Sequence, residues 1–162
     1  RESVLRWANE IVAQNPHKTV ILNTHSYMYS DSTRQGVNDS WRPQDYGIGK
    51  DSLDDRVNDG EQTWTKLVKM HPNIRFVFSG HVLNSGVGTL ISINDYGFPV
   101  YQFLANYQGG VKGSVNEGNG YLRIVTYDPR DNLLSVKTYS PWIDAAHPGE
   151  DHNFTIRHVK LR

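Results

Sequence analysis

The chain has 162 residues, 37% hydrophobic content, a formal net charge of +0 and no cysteine. That length suffices for one domain with a real core, and the neutral balance leaves no electrostatic footprint for nucleic acid or an anionic membrane surface. No apolar run is long enough to span a bilayer, and without cysteine there is neither a disulfide framework nor a thiolate for metal binding or nucleophilic attack. The chain opens with Arg1 and carries no visible signal peptide. Such a start fits a trimmed or partial chain, so a secreted or periplasmic location stays open.

In chain order, the first predicted element is a helix over Ser3 to Val12. Val4, Trp7, Ala8, Ile11 and Val12 fall on one face, Ser3 is the capping residue and Asn15-Pro16 the stop. The run Thr19-Val20-Ile21-Leu22-Asn23 then reads as a strand ending at Thr24-His25. From Ser26 to about Gly60 the chain is polar and rich in Gly, Pro, Asn and Asp, which predicts a long loop of little regular structure bordering a cleft. It contains Arg34, Arg42 and the acidic cluster Asp51, Asp54 and Asp55, whose spacing matches no EF-hand and reads as solvated loop. Residues Glu61 to Met70 predict a second helix, with Trp64, Leu67 and Val68 toward the core and His71-Pro72-Asn73 as its stop. The run Ile74-Arg75-Phe76-Val77-Phe78-Ser79 predicts a strand leading into Gly80-His81.

Beyond His81 the pattern is strands and turns. Strands are predicted at Thr89–Ile93, Pro99–Leu104, Tyr121–Tyr127, Leu133–Tyr139 and Phe154–Val159, with turn signals at Asn94-Asp95-Tyr96-Gly97 and Asp128-Pro129. Consecutive strands with short connections predict an antiparallel sheet or meander. No linker marks a domain boundary and no segment repeats, so the expectation is one domain over residues 1–162, α/β steps followed by β. That pattern fits half of a two-sheet sandwich flanked by helices.

Two histidines stand out, each just past an apolar strand: His25 and His81. Ligands gather at the carboxyl ends of strands in open α/β sheets, and a neutral imidazole there is a good ligand for a divalent transition metal. A single such histidine is more often a hydrogen-bonded strand end; two at equivalent positions favour metal. His17, His71, His147, His152 and His158 flank helices, turns or tails and read as surface or structural residues.

Thr24-His25 followed by Ser79-Gly80-His81 resembles the second half of a calcineurin-like metallophosphoesterase. Phe103-Leu104-Ala105-Asn106-Tyr107-Gln108, Gly118-Asn119-Gly120-Tyr121-Leu122-Arg123 and Thr138-Tyr139-Ser140-Pro141 are similar to a bacterial branch of that family. The family carries Asp-x-His, Gly-Asp, Gly-Asn-His-Asp/Glu, a lone His and Gly-His-x-His on successive strand ends. His25 matches the lone His, and Gly80-His81 the first part of the last motif. The first three motifs do not occur here, and the second His of the last motif falls on Leu83. The resemblance implies an α/β (α+β sandwich) fold, the C-terminal half of a four-layer αββα domain whose N-terminal metal-binding half is absent. It also implies divalent metal ions as cofactors, a dinuclear site in the full-length protein, with Zn, Mn and Fe not distinguished. His25 and His81 would share one ion.

The implied function is metal-dependent hydrolysis of a small phosphoester, mono- or diester, by bound ions that hold the phosphoryl oxygens and activate water. Two imidazoles and no bridging carboxylate predict weak metal binding and poor catalysis by this chain alone. Asn23, Thr24 and Ser26 are the nearest polar residues that could orient the imidazoles. Asn106, Tyr107 and Gln108 read either as substrate-cleft residues or as a strand end and turn, and Arg34 as a phosphate-pairing or a solvated loop arginine. A degenerate, non-catalytic metallophosphoesterase and a glycan-binding module built on the β-rich half are the alternatives. Trp7 and Trp64, assigned to helix core faces, count against the latter. The oligomeric state is left open.

Overall fold

The computed structural model describes residues 1–46 and 56–161. The acidic cluster Asp51, Asp54 and Asp55 lies outside the described residues. Among the described residues the chain is a mixed α/β protein with two four-stranded sheets and few helices. It divides into two compact units, residues 1–82 with 88–104 and residues 83–87 with 105–162. Among the described residues, no helix is long and apolar enough to cross a membrane.

The first unit opens with α1 (Glu2–Ala13) and β1 (Val20–Asn23), continues with α2 (Gly60–Lys66) and β2 (Ile74–Ser79), and adds β3 (Val87–Ile93) and β4 (Pro99–Ala105). The sheet order is β1-β2-β4-β3, with β1 parallel to β2 and β2 parallel to β4. The strands after His81 therefore do not form a single meander, as their order along the chain predicts: β3 and β4 join the first sheet, and β4 inserts between β2 and β3. Burial explains why. Val100, Tyr101, Phe103 and Leu104 are all buried, so β4 is covered on both faces, the mark of an interior strand in a parallel arrangement. Val77, Val100 and Leu104 meet Trp64, Leu67 and Val68 of the α2 segment and Val12 of α1 in one apolar cluster.

α1 is turned relative to its predicted face. Leu5, Ala8 and Val12 pack toward the core, while Val4, Trp7 and Ile11 remain exposed at 52%, 60% and 41%. Both sets share i, i+3, i+7 spacing, so helical periodicity alone cannot choose between them. The helix begins at Glu2, and its N-cap, Arg1, gives no side-chain cap hydrogen bond, so Ser3 is not the cap. α2 starts on a capping box: the Gln62 backbone N–H donates to Asp59, and the Gln62 side chain accepts from the Asp59 backbone N–H.

Within the stretch from Ser26 to Gly60, the described residues hold one isolated bridge, Met28 to Arg34, and a single 3-10 turn at Pro43–Asp45. Regular structure is sparse, yet the segment is anchored: Tyr27, Met28 and Gln35 are fully buried. The Tyr27 hydroxyl donates to Gln102 Oε1 at 2.8 Å, and the Gln35 backbone N–H to the Tyr27 carbonyl at 2.9 Å. A Cβ on Gly60 would stand 1.8 Å from that same carbonyl, so only glycine fits there.

The second unit carries β5 (Leu122–Asp128), β6 (Leu133–Ser140), β7 (Ala145–Ala146) and β8 (Phe154–Ile156). All are antiparallel; β5 lies on one side of β6, while β7 and β8 pair with successive parts of β6 on the other. This part of the chain does follow the predicted meander. β6 alternates between buried and more exposed positions, with Leu134, Val136, Thr138 and Ser140 inward, the period-two pattern of a strand with one face in a core.

These placements separate two tryptophans that the sequence pattern treats alike. Trp64→Ala should destabilise the protein by about 3–5 kcal/mol, whereas Trp7→Ala should stay within about 0.5 kcal/mol of the parent. Urea denaturation followed by circular dichroism measures both.

Candidate metal centre

His25 lies two residues beyond the end of β1 and His81 two beyond the end of β2. Because these strands are parallel neighbours with Asn23 opposite Phe78, both histidines follow the same, carboxyl end of the strand pair. Backbone hydrogen bonds continue past the strands: the Thr24 N–H donates to the Phe78 carbonyl at 3.0 Å, and the Gly80 N–H to the His25 carbonyl at 3.0 Å. His25 Nε2 and His81 Nδ1 stand 3.0 Å apart, with ring centroids 4.7 Å apart and planes tilted by 54°.

His81 has φ 67°, in the left-handed region. The Val82 N–H donates to the Gly80 carbonyl at 2.8 Å, across His81. An i→i+2 hydrogen bond around a residue of positive φ is the rare, strained form of the γ-turn. Val82 is fully buried, which anchors the far side of the turn. Tyr46 meets the His81 ring edge-on, at 4.9 Å between centroids and 87° between planes. Burial holds the His81 imidazole below its ordinary pKa, and the neighbouring His25 adds to that. The neutral form that binds metal is therefore favoured at His81.

The donor geometry suits one ion. Two nitrogens each about 2.0–2.1 Å from a common ion stand roughly 2.9–3.4 Å apart as the angle at the ion widens from ~90° to ~109°. The 3.0 Å separation falls in that range. It is equally the length of a direct N–H···N hydrogen bond between two neutral imidazoles. Among the described residues, no group of three or more His, Cys, Asp or Glu is assembled that would hold an ion.

The other sequence candidates have different surroundings. Arg34 is turned inward, its side chain 13% exposed: Nε pairs with Glu61 at 2.9 Å, Nη1 donates to Ser92 Oγ at 2.9 Å and Gln102 Oε1 at 3.1 Å, and the guanidinium lies 4.4 Å from the Trp64 ring centre. Arg42 is paired with Asp45. The Ser26 hydroxyl donates to Gln35 Oε1 at 2.7 Å. Asn106, Tyr107 and Gln108 belong to the second unit. There the Asn106 N–H donates to the Gly86 carbonyl at 2.7 Å, Asn106 Oδ1 accepts from the Gln108 N–H at 3.2 Å, and the Tyr107 hydroxyl shares a hydrogen bond with Thr138 Oγ1 at 2.9 Å. Nothing in the sequence pattern singles out Tyr46, an isolated aromatic residue in the polar loop.

The left-handed backbone at His81 separates function from stability. A side chain there costs about 1–2 kcal/mol relative to glycine. His81→Gly should therefore be more stable than His81→Ala by about 1 kcal/mol, measured by chemical denaturation, although both remove the imidazole.

Over 144 residues, 86% of the chain, the sequence is 28% identical to an uncharacterized protein, YvnB, of Bacillus subtilis (strain 168). The chain spans 9% of that relative's length. No family model matches the chain, and no solved structure matches it.

Proposed function

We propose that the chain forms part of a calcineurin-like metallophosphoesterase, in which His25 and His81 hold one divalent ion of a phosphoester-hydrolysing centre. The observation that carries this reading is the pair of imidazole nitrogens 3.0 Å apart at the ends of adjacent parallel strands. When bound, a divalent ion at such a centre polarises phosphoryl oxygens and lowers the pKa of water.

The protein's own groups have defined tasks in this scheme. His25 presents Nε2, so its ring proton belongs on Nδ1; His81 presents Nδ1, so its proton belongs on Nε2. The Gly80–His25 backbone hydrogen bond ties the two ligand segments together, and Tyr46 restricts rotation of the His81 ring. Such preorganisation lowers the cost of assembling the site. The remaining ligands and the substrate contacts would come from elsewhere in a longer protein.

A second reading is a degenerate relative that binds metal without turnover. Leu83 at the family's second histidine position and the two-ligand donor set favour it.

Cobalt(II) absorption spectroscopy and hydrolysis of nitrophenyl phosphate test the two readings. The isolated chain should bind Co²⁺ weakly and turn over barely above background, because a catalytic ion takes about three protein ligands plus an open position. His25→Ala and His81→Ala should each abolish the cobalt spectrum. In the longer protein each should cut turnover by about a hundredfold or more. A longer protein that binds Co²⁺ through both histidines yet stays inactive supports the degenerate reading. Robust turnover indifferent to His81→Ala contradicts both.

A further inference from the structure

The second compact unit contains a cavity of about 360 Å³, within the range of small-molecule sites. Its walls include Tyr107, Tyr121, His147 and His152, whose rings form a closed circuit. Centroid distances are 6.0 Å for Tyr107–Tyr121, 5.0 Å for Tyr121–His147, 3.5 Å for His147–His152 and 5.8 Å for Tyr107–His152. His147 and His152 stack on each other, and the ring surface that the circuit leaves toward the cavity suits the apolar face of a ring-shaped ligand.

Tyr107 and His147 on the wall are paired within the fold, but two other polar atoms of lining residues are not. His152 is only 9% exposed, and its Nδ1 has no hydrogen-bond partner among the described residues; Ser114 Oγ is likewise buried and unmatched there. Buried polar groups are nearly always paired, so two unmatched atoms in residues that line a cavity point to a ligand that supplies the partners after a small turn of each side chain. Burial, with the charges of His147 and Arg123, pushes His152 down to about 4, while the nearby Asp151 opposes the shift. The ring is thus neutral near neutral pH and offers one donor and one acceptor. Lys112 lines the same cavity, and among the described residues no carboxylate does.

The wall between Val115 and Tyr121 is built from left-handed residues. Asn116, Glu117, Gly118, Asn119 and Gly120 all have positive φ, and a Cβ on Gly118 would stand 1.7 Å from the Tyr107 carbonyl. Backbone strain of this kind clusters at ligand clamps and active sites.

We propose that this cavity binds an anionic monosaccharide, its ring against Tyr107, Tyr121 and His147, its hydroxyls on His152 Nδ1 and Ser114 Oγ, and its charged group on Lys112. The shared chemistry is a hydroxylated ring carrying one acidic substituent, which a uronic acid or a sugar phosphate supplies. The proposal is independent of the histidine pair at His25 and His81.

Isothermal calorimetry and two-dimensional NMR near neutral pH test it on the whole chain, with glucuronate, glucose 6-phosphate and glucose as probes. One or both acidic sugars should bind saturably, moving the His152 ring and Lys112 amide signals, and should bind more tightly than glucose. Which of the two binds identifies the acidic group. Lys112→Glu, a change at an exposed position, should weaken binding roughly tenfold or more, and Tyr121→Ala should weaken all sugars alike. Absence of binding by both acidic sugars overturns the proposal. So does binding indifferent to Lys112→Glu and Tyr121→Ala, or glucose binding as tightly as glucuronate.

Discussion

Asn23 pairs with Phe78 across parallel strands, and that register decides where His25 and His81 stand. A slip of one residue would turn every side chain of β1 to the opposite face and separate the imidazoles. β1 is only four residues long, so its own ladder is a weak constraint. The register is reinforced beyond the strands by the Thr24–Phe78 and Gly80–His25 hydrogen bonds, and beneath them by Val77 and Leu22 packing in the apolar cluster. Burial of that cluster is the main favourable term holding the sheet edge in place; the histidines themselves add little to it, since His25 is exposed.

Two features of the same unit hold the site from either side. His81 occupies a left-handed conformation, bracketed by the bond from Val82 to Gly80. On the other side, the segment after His25 is drawn into the core by Tyr27 and Gln35 and by the partly buried network joining Tyr27, Gln102, Ser92 and Arg34. Networks whose members are matched in a low-dielectric interior rigidify their surroundings. Here one rigidifies the start of a loop whose composition alone suggests freedom.

The sequence made some of this legible. The apolar runs ending at Asn23 and Ser79 carried enough β-branched and aromatic residues to mark the strands, and parallel pairing follows from the intervening helix. Trp64, Leu67 and Val68 are buried as their spacing requires. Other features depend on tertiary choices that no local pattern encodes. The core face of α1 was ambiguous between two equivalent stripes, and packing selected Leu5, Ala8 and Val12. The placement of β4 beside β2 rests on a long-range pairing between Phe78 and Phe103. β7 is two alanines, too short to signal. The aromatic circuit of Tyr107, Tyr121, His147 and His152 joins residues up to 45 positions apart, and the local pattern gives them unrelated readings: Tyr107 a cleft residue or strand end, Tyr121 the start of a strand, His147 and His152 surface or structural residues. Exposed Trp7 removes one objection to a carbohydrate-binding role; the cavity of the second unit, rather than tryptophan stacking, is what favours sugar chemistry.

The most direct measurement is a crystal of the chain soaked in Co²⁺ and recorded at the cobalt absorption edge. An anomalous peak is expected between His25 Nε2 and His81 Nδ1, about 2.0–2.2 Å from each nitrogen. A peak elsewhere, or two imidazoles joined directly by a hydrogen bond with no anomalous density between them at saturating cobalt, would contradict it.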